Sequence, residues 1–218
     1  MPQEPGARHD KEAGTYAKGD LRRAHIVSTA LHLFADAGYE RTSMVQAAAA
    51  AGISRAGLLH HFPTKDDLLA AVLEERDRLD DARHFDHLDP ADPLGWLANL
   101  IRLTEFNATQ PRLVRLFAVL SAESSSPDHP AHEYFARRYA ATRSEYARVI
   151  AELVRQDLLA PGVEAEGLEV ELIAFTDGVQ VQWLLDPSID MARLLRRRLQ
   201  QLVTAPLPDP TPETTLRS

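Results

Sequence analysis

The sequence predicts an all-α protein of about nine helices, and three observations carry that prediction. Apolar residues recur with the 3.6-residue helical period in almost every window. No run of β-branched residues alternates with polar ones between turn signals, and glycine or proline punctuates the periodic stretches. No repeat of solenoid length is visible.

The first helix is predicted to open near Asp20, to turn Ile26, Val27, Ala30, Leu31, Leu33, Phe34 and Ala37 inward, and to close at Gly38. Ser43 with Gln46 makes a capping-box pair ahead of a short helix over 44–51, which Gly52 ends. Ser54 caps a third helix that Phe62-Pro63 halts after about two turns. Thr64, followed by Asp66 and Asp67, opens a fourth through Leu68, Leu69, Val72, Leu73 and Leu79. Asp92-Pro93 starts a fifth through Leu97, Leu100 and Leu103, and Pro111 a sixth whose run 113–120 is apolar on nearly every side, as a central buried helix is. A long seventh is expected over about 130–159, an eighth over about 167–185 and a ninth over about 190–204. The ends, 1–18 and 205–218, read as disordered tails, the second with proline at alternate positions.

At 218 residues, 44% hydrophobic and 26% charged, the chain suits one or two small packed domains. The absence of cysteine excludes disulfides, thiolate metal sites and cysteine catalysis. No stretch has the apolar length of a signal peptide core or a membrane span, so a cytoplasmic protein without a membrane partner is the simplest reading. The net charge of −8 is unevenly spread: residues 1–65 carry 8 Lys/Arg against 6 Asp/Glu, and the remainder 16 against 26. A mildly basic head can bind phosphate locally, because in salt only charges within about 8–10 Å act strongly.

Phosphate-binding glycine loops, hydrolase elbows and zinc-protease helices are absent from the sequence. Glu74-Glu75 and Asp80-Asp81 diverge by about 100° around a helix and read as a solvated face rather than an acid–base pair. His84-x-x-His87 and His129-x-x-His132-Glu133 have a spacing that could hold zinc or nickel, but both lie near helix ends, where surface or capping roles are commoner; no metal or cofactor is expected. The two short helices joined through Ala51-Gly52-Ile53-Ser54 have the size of a helix-turn-helix. On the second, Arg55, His60, His61 and Lys65 offer donors to phosphates and base edges, while Leu58 and Phe62 anchor it. From these residues alone two readings stand: a helix that reads DNA, or a structural corner on a helical metal- or small-molecule-binding protein or enzyme.

Residues 22–73 resemble the DNA-binding domain of the tetracycline-repressor (TetR) family along their whole length. The matching features are Leu33-Phe34-Ala35-x-x-Gly38-Tyr39, Thr42-Ser43, Ala48, Ala51-Gly52-Ile53-Ser54, Gly57-x-x-His60-His61-Phe62, Lys65 and Leu68-Leu69. Asp177-Gly178 and Trp183-Leu184-Leu185-Asp186-Pro187 are similar to C-terminal domains of the same family. The resemblance implies a helix-turn-helix domain over 19–65 and a ligand-binding and dimerisation domain over 66–204, with 66–84 as connector. It implies a homodimer, not an enzyme, that represses transcription from a palindromic operator and is released by a small lipophilic molecule of unknown identity. Carried over by position, Thr42 and Ser43 would contact phosphate, Ser54, Arg55, Gly57, Leu59, His60 and His61 would face DNA, and Lys65 would grip a phosphate. Leu59 replaces the tyrosine usual in the family, and Ala47 a larger aliphatic. The resemblance further places a ligand among Trp96, Leu100, Leu103, Phe106, Phe117, Tyr139, Tyr146 and Phe175. It puts a dimer interface on Leu172, Ile173, Thr176, Val179, Gln180, Leu184, Leu195, Leu199 and Leu202.

Overall fold

Caps and glycines set the helix ends much as their chemistry requires. In the computed structural model, which describes residues 9–209 and side chains from residue 19 onward, the described residues form nine helices and no sheet. They are α1 (His9–Ala37), α2 (Met44–Ala50), α3 (Arg55–His61), α4 (Lys65–His84), α5 (Pro93–Ala108), α6 (Pro111–Glu123), α7 (His132–Arg155), α8 (Leu168–Leu185) and α9 (Met191–Gln200). Gly38 and Gly52 take left-handed backbone at φ 86° and 65°, where a side chain would be strained, and so turn the chain sharply after α1 and α2.

Three boundaries differ from the sequence expectation. Helix α1 begins at His9 rather than near Asp20, because a helix needs an apolar face only where it packs. Of the expected N-terminal tail 1–18, residues from His9 on are helical, and 1–8 lie outside the described residues. Helix α7 stops at Arg155, since Asp157 adopts φ 56° and the Leu158 N–H returns to the Leu153 carbonyl at 2.9 Å. The freed strand then pairs with the end of α9: Leu159 and Val203 form an antiparallel bridge, with Ala160 N–H to Leu202 O at 2.8 Å and Thr204 N–H to Leu158 O at 2.9 Å. That pairing also ends α9 at Gln200. Residues 205–209 are docked rather than loose, for Leu207 is buried and its N–H donates to Gln200 Oε1 at 3.0 Å; 210–218 lie outside the described residues.

The chain divides into two compact units, 1–75 and 76–218, so the division falls inside α4 and not at its start. In the first unit Ile26, Val27, Ala30, Leu31 and Phe34 of α1, Ala47 and Ala48 of α2, Leu58 of α3 and Leu68, Leu69, Val72 and Leu73 of α4 are all buried. The first turns of α4 therefore belong to the core of the head. In the second unit α5, α7, α8 and α9 share a core built around Leu100, Ile101, Ile150, Leu153, Leu172, Leu195 and Leu199. A smaller cluster joins Val114 of α6 to Trp183 of α8 and Met191 of α9. Burying such side chains at roughly 1.5–3 kcal/mol each is the main force holding these helices together.

Candidate nucleic-acid interface and effector cavity

In the first unit the short helices α2 and α3 are held by side-chain caps. Ser43 Oγ accepts from Gln46 N–H at 3.2 Å while Gln46 Oε1 accepts from Ser43 N–H at 2.8 Å, and Ser54 Oγ accepts from Gly57 N–H at 3.0 Å. Gly57 is small for a reason: a Cβ there would come within 3.3 Å of that Ser54 Oγ. Leu58 and Phe62 point into the core, at 0% and 1% exposure. The rest of α3 is consequently turned out. Arg55 and His60 are exposed and Leu59 and His61 half-exposed, with the two imidazole rings 5.5 Å apart.

Two assigned positions behave differently. Thr42 is buried, at 3% exposure, and its hydroxyl donates to the Gly38 carbonyl at 2.9 Å, so it tightens the turn after α1 and offers no group outward. Lys65 is half-buried: its Nζ lies 4.0 Å from the centroid of the Tyr39 ring and donates to the Glu40 carbonyl at 3.4 Å. The Tyr39 hydroxyl donates to Asp66, and burial together with that carboxylate raises its pKa. Arg23, which the sequence pattern did not single out, lies over the Phe62 ring at 4.8 Å.

The second unit contains a cavity of about 950 Å³. Of the eight residues expected there, Trp96, Leu100, Leu103, Phe117, Tyr139 and Tyr146 line it. Phe106 does not, because its ring packs against His84 at 5.6 Å and beneath the Arg83 guanidinium at 4.3 Å. Phe175 does not either; it sits about half a helical turn around α8 from Ile173 and packs into the main core.

What the sequence reading missed is the polar wall. Asp80 and Asp81, expected on a solvated face, line the cavity with Arg76 and Asp77. Arg76 Nη2 reaches Asn107 Oδ1 at 3.0 Å and Asp80 Oδ2 at 3.1 Å. Arg138 Nε bonds both Asp77 oxygens, at 3.0 and 3.1 Å, and the Tyr134 hydroxyl donates to the same carboxylate. Both guanidiniums face Phe117, at 4.4 and 5.8 Å from its centroid. On α8, Asp177 accepts from the Tyr139 hydroxyl at 2.8 Å. Burial raises the pKa of Asp80 against the pull of Arg76, and it raises Asp81 with added repulsion from Asp77 and Asp86. Asp177 is raised by burial as well, whereas the Arg148 guanidinium holds Glu145 low. A pattern of acidic residues at helical spacing was available as a signal, but only Arg138 on a distant helix distinguishes a wall from a surface.

Three of the four paired histidines pack or cap, and His87 is exposed. His84 is buried beside Phe85 and Phe106, His129 Nδ1 accepts from Ala131 N–H at 3.1 Å, and His132 Nδ1 donates to the Ser124 carbonyl at 2.8 Å. Among the described residues no three His, Asp or Glu side chains converge as a metal site.

The expected dimer residues are largely committed within one chain. Leu172, Leu195, Leu199 and Leu202 are core, Ile173, Thr176 and Gln180 face the cavity, and Val179 and Leu184 pack on the Val114–Trp183–Met191 cluster. The helical period hid this: the most apolar face of an amphipathic helix is the one its own fold buries first. The face of α8 left open carries Val170, Ala174, Gly178, Val181 and Leu185, with Leu185 84% exposed.

A capped helix-turn-helix unit with an outward-facing α3, in a chain whose second unit is helical and holds a cavity, is an architecture of DNA-binding regulators, and comparison with known families agrees. Residues 26–72 match the family described as bacterial regulatory proteins, tetR family, and residues 98–209 match the C-terminal domain of BetI-type transcriptional repressors. The HTH-type transcriptional regulator TtgR of Pseudomonas putida is 30% identical over 177 residues, 78% of this chain and 83% of that one. Among solved structures, SmeT of Stenotrophomonas maltophilia in complex with triclosan superposes with TM-score 0.70 at 22% identity, covering 88% of this chain and 100% of that one. A regulator from Saccharomonospora viridis in complex with choline gives 0.65 at 22% identity, over 84% and 98%. The chain belongs to the TetR family of helix-turn-helix transcriptional regulators, which bind DNA and are not enzymes. No helix among the described residues is long and apolar enough to cross a membrane.

Proposed function

We propose that the chain is a homodimeric repressor that holds a palindromic operator through α3 and lets it go when a small lipophilic molecule fills the cavity. The contact set is Ser43, Ser54, Arg55, Gly57, Leu59, His60, His61 and Lys65, with Arg55 the residue best placed to read a base edge. Thr42 is left out because its hydroxyl is committed inward. Two copies are joined through the open face of α8, Val170 to Leu185, where exposed apolar side chains recur every three to four residues.

The observation that carries the regulatory part is the composition of α4. One helix bears Lys65 near its start and the cavity residues Arg76, Asp77, Asp80 and Asp81 near its end. A ligand that binds one setting of α4 better than another shifts the population, and with it the spacing of the two reading helices from the ~34–36 Å of successive major grooves. The ligands of the two structural relatives, an uncharged aromatic and a quaternary ammonium, support small organic effectors as a class.

Selection of bound duplexes from a random pool tests this reading. The expected product is one inverted repeat, bound with an affinity that falls linearly with salt on logarithmic axes. Leu185→Asp should convert the dimer to monomer in the ultracentrifuge and abolish operator binding, a loss of about 2 kcal/mol or more. Recovery of no enriched sequence, or an unchanged dimer in Leu185→Asp, sinks the proposal.

A further inference from the structure

The cavity wall carries seven carboxylates, Asp77, Asp80, Asp81, Asp86, Asp89, Glu145 and Asp177, against the three guanidiniums of Arg76, Arg138 and Arg148. Every guanidinium is taken: Arg138 by Asp77, Arg76 by Asp80 and Arg148 by Glu145, at 3.0, 3.1 and 2.6 Å. Asp81 and Asp177 make no ion pair among the described residues, and Asp177 has only the Tyr139 hydroxyl. Between them lies a run of rings, with Phe85 to Trp96 centroids at 5.2 Å and Trp96 to Tyr146 at 5.0 Å. The buried Trp96 Nε1–H has no hydrogen-bond partner; Glu145 is near enough to feel it but lacks bonding geometry.

Resting on the effector reading above, we propose that the molecule this cavity takes is a lipophilic organic cation, its charge met by Asp81 and Asp177 and its hydrocarbon body laid among Phe85, Trp96 and Tyr146. An anion entering here meets an excess of carboxylates whose counter-charges are already spent. Asp81 and Asp177 line the cavity while keeping contact with solvent, so a neutral occupant displaces water from their cavity side and supplies nothing in return, whereas a cation replaces it with an opposite charge. A cation answers both and also gains from the ring faces, a contact worth more out of water. Partial desolvation and the neighbouring Asp77, Asp86 and Asp80 hold the Asp81 carboxyl above its usual range although it keeps contact with solvent, in keeping with the surplus of carboxylates in the cavity lining, which a positive guest relieves.

The test uses the full chain and three probes: tetraphenylphosphonium and tetraphenylborate, near-isosteric ions of opposite charge, and triphenylphosphine oxide, a neutral phosphorus compound with one ring fewer. Binding is followed by calorimetry and by tryptophan fluorescence, to which Trp96 reports directly. The phosphonium should bind at least ~10-fold more tightly than the oxide, and the borate should not bind. The double variant Asp81→Asn, Asp177→Asn should lose roughly 10-fold or more of the phosphonium affinity while the oxide affinity stays within about 3-fold. Each single variant, checked for cooperative melting at or above the parent's temperature, should lose part of that factor, which keeps the proposal testable if the double variant does not fold. Equal affinity for oxide and phosphonium, preference for borate, or undiminished cation binding in the folded variants overturns the charge assignment and leaves the effector site standing. Failure of all three probes to bind overturns both.

Discussion

Arg55 on α3 and Asp80 on α4 are both charged, both helical and both assigned to a site, yet the chain holds them in opposite ways. Arg55 is exposed, and the fold around it is kept by other residues: Leu58 and Phe62 beneath, Ser54 and Gly57 at the cap. Asp80 is mostly buried and is itself part of what keeps the cavity wall, through Arg76 and the Asn107 amide that Arg76 also binds. In the head, function is laid on a scaffold and can be exchanged without rebuilding it. In the body, the groups that would meet a ligand also hold helices together, so changing specificity there disturbs stability.

The largest effect should come from the scaffold of the head. Leu58→Ala removes a fully buried side chain and should cost about 2–5 kcal/mol. Both tryptophans, Trp96 and Trp183, lie in the body, so if the two units unfold separately, far-ultraviolet dichroism should melt early while the tryptophan signal is unchanged. Coincident shifts in both signals would show that the head has no stability of its own. Next comes Arg55→Ala, with a loss of roughly 1–3 kcal/mol concentrated at one base position and a melting temperature like that of the parent. Lys65→Ala, by contrast, should weaken every duplex alike and lower the salt slope by about one. A sequence-specific loss from Lys65 and a uniform one from Arg55 would reverse their roles.

Smaller still is the cap. Ser54→Ala should reduce stability by about 1 kcal/mol, seen in denaturant midpoints, and DNA affinity by a comparable factor. An unchanged midpoint means the Ser54–Gly57 bond contributes nothing. The smallest effect separates the two regions by pH. A carboxyl whose folded pKa exceeds its unfolded value, about 3.9 for Asp, binds its proton more tightly when folded, so its charge destabilises at neutral pH and acidification relieves that cost. Burial and its acidic neighbours put Asp81 in this class. Asp81→Asn should therefore melt slightly higher than the parent at pH 7, and the difference should shrink as pH falls through the raised value toward 3.9. A difference independent of pH removes the Asp81 charge from those that the cavity wall holds at a cost.

Legibility in the sequence followed the distance over which each feature is encoded. The capping box at Ser43 and Gln46, the Ser54 cap and the anchors Leu58 and Phe62 each lie within four residues of their partners, and the structure has all of them. Six of the eight residues that the family resemblance set around a ligand line the cavity, since a large apolar side chain on an inner face has few other places to go. Phe106 and Phe175 failed because inner face and cavity face are not the same surface. For the dimer residues, apolar periodicity marks what is buried without saying by which chain.

What the sequence determined by itself was the all-α class and the paired short helices of the turn, because caps, glycine turns and the 3.6-residue period act between near neighbours. The family came from the resemblance of residues 22–73. Only the tertiary structure decided that Asp80 and Asp81 form a wall and that the open face of α8 is Val170 to Leu185. Asp77 and Arg138 are 61 positions apart, and no local pattern records a partner that only the packing of α4 against α7 brings within 3.0 Å.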